Sequence, residues 1–141
     1  MWTGDNMATW DQRKQMNETG LIIDRGVNEM SETGLEGIPS NMVAPPRIKG
    51  SPVQFECKLH EIVVLPGDSK MAIHHTVFGQ VIGVHIADEA ISEDGIFEVA
   101  RVKPIARLGY KDYAWVDETN MFEMEKRTPE DLIGKPQQAA E

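Results

Sequence analysis

Ser51-Pro-Val-Gln-Phe-Glu-Cys-Lys-Leu-His60, continued by Glu61-Ile-Val-Val-Leu65, is the stretch whose reading decides the fold. Val53, Phe55, Cys57 and Leu59 alternate with Gln54, Glu56, Lys58 and His60, a period of two that belongs to a strand with one buried and one wetter face. Ile62 to Leu65 carries the strand on with both faces apolar, which calls for deeper passage and a bulge near His60 and Glu61. Pro66-Gly-Asp-Ser-Lys70 supplies the turn residues that end it. A second strand is expected from His75 to Ala87, with Phe78, Ile82, Val84 and Ile86 on one face and Val77, Gly79, Val81, Gly83 and His85 on the other. Two glycines on one face leave room, either for another backbone packed close or for a flat ligand laid against the sheet.

Beyond these strands, Asp88 to Asp94 reads as loop or weak helix ended by Gly95, and Phe97 to Val102 as a helical turn. Pro104 to Leu108 and Tyr113 to Val116 make a hairpin around Gly109 and the turn Tyr110-Lys-Asp112, with Met121 to Met124 as a last short strand. Towards the N-terminus, Thr9-Trp-Asp-Gln12 has the form of a capping box and predicts a short helix from Trp10 to Asn17. Leu21 to Arg25 reads as a brief extended piece and Asn28 to Thr33 as one helical turn stopped by Gly34. The prolines of Gly37-Ile-Pro-Ser40 and Ala44-Pro-Pro-Arg47 then hold the backbone extended. The expected organisation is one domain over residues 1–127, with a helical and loop lead-in at 1–50, a β core at 51–127 and a flexible tail at 128–141.

Composition narrows the function. With 14 Lys+Arg against 23 Asp+Glu, the formal net charge of −9 repels phosphate backbones and anionic lipid headgroups, so nucleic acid and membrane partners are not expected. No apolar run approaches the length of a membrane-spanning helix, and the single Cys57, set in an apolar strand, reads as a small buried hydrophobe. A reducing cytoplasm is the expected compartment. Apolar residues make up 40% of the chain, low for a self-sufficient globule, and they crowd into its second half.

No Walker loop, dinucleotide-binding glycine fingerprint, nucleophile elbow or paired-cysteine motif is present. His60, His74, His75 and His85 lie on or beside two strands that pair, an arrangement that would suit a cupin-like metal barrel, but no carboxylate follows at the close spacing such a site uses, and no metal is expected. His75, at the mouth of a strand followed by small residues, either donates a hydrogen bond to a ligand or caps the strand. Arg107 and Tyr110, across the Gly109 turn, either serve an anionic or aromatic ligand or form a surface pair.

Met16-Asn17, Gly26-Val-Asn-Glu29, Ala44-Pro-Pro-Arg47, Ser51-Pro-Val-Gln-Phe-Glu-Cys57, His75-Thr-Val-Phe-Gly-Gln-Val-Ile-Gly-Val-His-Ile86 and Pro104-Ile-Ala-Arg-Leu-Gly-Tyr110 occur in order at suitable spacings. Together, from about Asn6 to Arg127, they resemble the flavin reductase-like family. The resemblance implies a mainly β fold, here a partial FMN-binding split β-barrel with a short N-terminal helix. It also implies a homodimer with FMN at the subunit interface, NADH or NADPH as reductant, and an acceptor protein or small molecule to take the electrons. Carried over by position, His75 is the catalytic candidate, and His75, Thr76, Val77, Phe78 and Gly79 lie on a strand near the flavin. Arg107 and Tyr110 match the family's C-terminal strand and turn, and Asn6 is a further flavin contact. The family's strands and phosphate loops that precede the Met16-Asn17 block are not represented, so the chain resembles a C-terminal portion. The expected function is a flavin reductase-like oxidoreductase, with a non-catalytic flavin-binding module or an inactive, dimerising fragment as alternatives.

Overall fold

The computed structural model of the protein describes residues 2–24, 26–69 and 73–133, so the sequence readings at Arg25, Lys70 and residues 134–141 lie outside the described residues. In chain order its strands are β1 (Trp2–Asn6), β2 (Gly37–Ile38), β3 (Arg47–Ile48), β4 (Val53–Leu65), β5 (His74–Ile86), β6 (Ile105–Gly109) and β7 (Asp112–Trp115). Its helices are short: α1 (Arg13–Glu18), α2 (Glu29–Glu32), α3 (Val99–Val102) and α4 (Pro129–Ile133), with a 3-10 turn at Asp88–Ala90. None is long and apolar enough to cross a membrane among the described residues.

The two stretches rich in β-branched residues pair antiparallel as β4 and β5, and β1 adds to the far edge of β4, giving the order β1-β4-β5. β1 reaches only from Gln54 to Lys58 of β4. Above that point β4 and β5 continue as a two-stranded arm. Register shifts interrupt the ladder between Glu56 and Cys57 and between Leu59 and Glu61, the second being the bulge expected at His60. The first has a consequence for the faces. Gly83 stands opposite Glu56 while Val81 stands opposite Cys57, so Ile82 is the extra residue and Gly79 and Gly83 end on opposite faces rather than sharing one.

Burial departs from the simple alternation. Gln54 and Glu56, which the period of two assigns to the wetter face, are 5% and 0% exposed. The reason is the segment after Pro39, which folds over that face and presents backbone donors to it. The amides of Asn41 (2.8 Å), Met42 (2.6 Å) and Val43 (3.1 Å) all donate to the Glu56 carboxylate, and His85 Nε2 lies 2.6 Å from its Oε1. Gly83 leaves the space for this clamp: a Cβ there would sit 3.2 Å from Met42 Sδ and 3.4 Å from Glu56 Cβ, so this glycine serves close packing. Cys57 and Ala90 are buried as apolar residues, and little else is.

Helix α1 starts three residues later than the capping-box reading, and its N-cap Gln12 makes no side-chain cap bond. Thr9 is instead buried and bridged to Pro104, with the Trp10 amide donating to the Lys103 carbonyl at 2.9 Å. A contact distant in sequence overrides the local signal there. Asn28 caps α2 through the Met30 amide, as its residue type favours. Leu21 to Asp24 takes no regular form. Met121 to Met124 forms no strand, since no neighbouring strand lies alongside to pair with it, and Met121, Phe122 and Met124 are exposed. Within the region read as a tail, Pro129–Ile133 forms the short helix α4, with Thr128 and Asp131 exchanging hydrogen bonds at its start.

Burial works to raise the Glu56 pKa, but the amides of Asn41 and Met42, the His85 ring and the Val43 amide outweigh it and lower it from 4.5 to about 2. A depressed native pKa contributes stability that is complete above pH 4.5 and is lost as pH falls towards about 2. Glu56→Gln is therefore expected to lower the melting temperature at neutral pH and to flatten the loss of stability between pH 4.5 and about 2, followed by circular dichroism. An acid limb that superimposes on the wild type contradicts this role.

Candidate functional site

The residues singled out in the sequence fall in three places. Asn6 lies at the foot of the sheet, opposite Gln54, and its Oδ1 accepts from the Ile48 amide at 2.9 Å. Around it Arg47 donates from Nη1 to Gln54 Oε1 (2.7 Å) and from Nη2 to the Pro39 carbonyl (3.0 Å). Gln54 Nε2 in turn donates to the carbonyls of Ile48 (2.7 Å) and Ser51 (3.0 Å). These groups satisfy one another, tying β3 to β1 and β4, so Asn6 holds the foot together. A polar cleft of about 500 Å³ opens beside this network, walled by Arg47, Gln54, His85 and Glu89.

His75, Thr76, Val77, Phe78 and Gly79 lie on the distal arm, opposite Val64, Val63, Ile62, Glu61 and Leu59. All five are exposed. Cross-strand partners share a face, so His75, Val77 and Gly79 look out with Leu59, Ile62 and Val64, whereas Thr76 and Phe78 look out on the other side with Val63 and Glu61. The first face is a flat apolar strip bearing one imidazole. It lies about 30 Å up the ribbon from Asn6, ten residues along β4 at strand rise.

Arg107 and Tyr110 form the third place. Arg107 Nη2 donates to the Tyr110 carbonyl at 3.1 Å and thereby braces the turn, in which Gly109 (φ 116°) and Tyr110 (φ 46°) take the left-handed conformations that the tight reversal needs. The Tyr110 ring is 96% exposed. Below the turn the hairpin is fastened to the N-terminal segment, Ile105 N donating to the Ala8 carbonyl (3.1 Å) and Trp115 packing on Trp10 with ring centroids 4.6 Å apart. Between α1 and this hairpin lies a cleft of about 310 Å³ whose wall includes Trp10, Arg13, Lys14, Lys111, Tyr113 and Trp115. None of these was singled out in the sequence. Three cations in an acidic chain are the signal that could have drawn attention, but the meeting of Trp10 with Trp115 is a tertiary fact.

Burial, then the charge of Asp5, raises the Cys57 thiol, which disfavours its thiolate. Among the described residues no three metal-ligating side chains converge, and His85 is engaged by Glu56.

A flavin asks for an apolar plane for its ring, donors at the ring's polar edge and a cation for its phosphate. The candidates fit in kind, with the Val77–Gly79 strip, the His75 imidazole, and Arg107. They do not fit in place within one chain, because the strip and the imidazole lie on the arm and Arg107 on the hairpin, while the polar groups of the foot are tied to one another.

The sequence matches the flavin reductase like domain over residues 6–112. It is 32% identical over 108 residues to an uncharacterised protein of Aquifex aeolicus, an alignment covering 77% of this chain and 52% of that protein. The chain thus spans about half the length of the curated relatives it matches. Among solved structures, nitrilotriacetate monooxygenase component B from Bacillus cereus superposes with a TM-score of 0.76 at 23% identity, over 87% of this chain and 59% of that one. The 2-nitrobenzoate 2-nitroreductase of Pseudomonas fluorescens superposes with a TM-score of 0.73 at 26% identity, over 89% and 59%. On these matches the chain belongs to the flavin reductase-like domain family, with the mainly β, split-barrel fold of that family.

Proposed function

We propose that the protein is a flavin-dependent oxidoreductase module in which FMN is held between two copies of the chain, is reduced by NADH or NADPH, and passes electrons to a small-molecule or protein acceptor. The observation that carries the reading is the arm. Ile62, Val64 and Val77 are 41–54% exposed side by side on one face of the ribbon, and Leu65 and Phe78 are 48% and 49% exposed. A two-stranded ribbon is marginal in water by itself, and a contiguous apolar surface of this kind marks an interaction site. A chain of this mass buries its surface down to about 7,300 Å² as a monomeric globule. This one exposes 12002 Å². A second copy laid against the arm covers that surface and brings the His75 strip to the other copy's foot or hairpin. Membership of a flavin reductase-like family, and the redox enzymes among the similar structures, favour FMN as what the two copies share.

When bound, the flavin supplies the redox chemistry. The chain's own part is to orient and shield it. Val77 and Gly79, with Ile62 and Leu59 opposite, offer a plane without charge, and His75 is positioned to donate a hydrogen bond from the end of that plane. The dispersal of the candidates favours a second reading, in which the chain alone dimerises and holds no flavin. Flavin absorbance of the purified chain after incubation with FMN and desalting separates the two.

His75 is exposed, so His75→Ala is expected to leave stability within about 0.5 kcal/mol. It should slow reduction of the flavin-loaded protein by NADH or NADPH about tenfold, which corresponds to about 1.4 kcal/mol in the barrel's hydrogen bonding to the reacting pair. Stopped-flow rates unchanged by the substitution contradict the assignment. Val77→Glu, which places a charge on the strip, should abolish flavin retention while leaving the far-ultraviolet circular dichroism intact. Retention equal to wild type would remove the arm from the site.

A further inference from the structure

We propose that the cleft between α1 and the β6–β7 hairpin is a binding site for a small aromatic carboxylate, separate from the apolar strip of the arm. The proposal stands on the cleft's own residues and not on the flavin reading. The chain carries a net charge of −9, yet this wall contains Arg13, Lys14 and Lys111 and no Asp or Glu. Such a concentration of one sign in a concave place focuses the field and draws anions against the overall charge.

The apolar part of the wall is aromatic. Trp10 and Trp115 meet at 4.6 Å between centroids and 47° between planes, an open wedge rather than a closed stack, and Tyr113 stands beside them. The Trp115 indole N–H is taken by Asp117 Oδ2 at 3.0 Å, so this indole offers the cleft a ring. Thr119 and the Trp115 indole lower the Asp117 pKa, which keeps that acceptor ionised and the ring fixed. Arg13 is ordered too. Its Cζ lies 3.9 Å from the Trp10 ring centroid and its Nη1 donates to the Trp10 carbonyl at 2.6 Å, which aligns the guanidinium along the wedge. That bond uses one of the five donors a guanidinium carries, and the planar fork matches a carboxylate.

The volume sets the size of the guest. About 310 Å³ lies at the lower end of the range for small-molecule sites, which suits one or two fused rings rather than a nucleotide. The ring lies against Trp115 and Tyr113, beside the stacked Arg13 and Trp10, and its carboxylate meets Arg13 with Lys14 and Lys111 at the rim.

The probe is 2-naphthoate, with neutral 2-naphthamide as its control, titrated by calorimetry into the full chain. Naphthoate is expected to bind at least tenfold more tightly than naphthamide, and Lys111→Glu, a change on the exposed hairpin end that keeps the fold, to weaken naphthoate at least fivefold. Saturating FMN should leave naphthoate affinity unchanged. Equal affinity for acid and amide, no binding of either, an unaltered Lys111→Glu variant, or displacement by FMN would each overturn the proposal. Failure of the chain to retain FMN bears on the flavin reading alone.

Discussion

A two-stranded ribbon is marginal in water unless something covers it, and β1 covers β4 only from Gln54 to Lys58 while β5 forms the sheet's other edge. At the foot, β1 takes the free edge of β4 from Gln54 to Lys58, and the Asn41–Val43 segment closes the face. The Glu56 carboxylate makes this closure possible. A charge with no exposed surface is tolerable only when hydrogen bonds replace its water, and three amides and the His85 ring do so from β5 and from a segment otherwise without regular structure. That one carboxylate fastens the lead-in to the sheet and dictates Gly83 opposite. Beyond Lys58 no comparable closure exists among the described residues, and the arm keeps its apolar side chains in the open.

The division between foot and arm governs any account of function. Polar side chains at the foot are committed to one another: Asn6 to Ile48, Arg47 to Gln54 and Pro39, and His85 to Glu56. The arm carries apolar side chains paired across its two strands and exposed, Ile62 with Val77 among them, with His75 on the same face. The proposed dimer follows from bringing the two together, since one copy offers what the other lacks. The aromatic and cationic cleft belongs to neither region. It arises where the Thr9–Pro104 bridge holds the hairpin against the N-terminal segment, so Trp10 and Trp115 meet from opposite ends of the chain.

Much of the fold was readable because its signals are local. The strand from Val53, the bulge at His60, the hairpin around Gly109 and the helical turn after Asn28 each rest on neighbouring residues, and each is found. The errors have one cause, a partner distant in sequence. Thr9 looks like a helix cap but is drawn into a bridge with Pro104. Glu56 looks solvent-facing but meets amides some fifteen residues away. The bulge at Ile82 swaps the face of Gly83 relative to Gly79, and no periodicity announces it. The candidate residues do not share one face or one end of the sheet: Thr76 and Phe78 face away from His75, and Asn6 lies at the other end of the ribbon.

The central claim is that flavin is held by two copies of the chain and not by one. Sedimentation velocity of the FMN-loaded protein, recorded both at the protein band and at the visible flavin band, tests it over a range of concentrations. The account predicts that bound flavin travels only with a species of twice the chain mass and is released as dilution dissociates it. Flavin travelling with the monomer would contradict it.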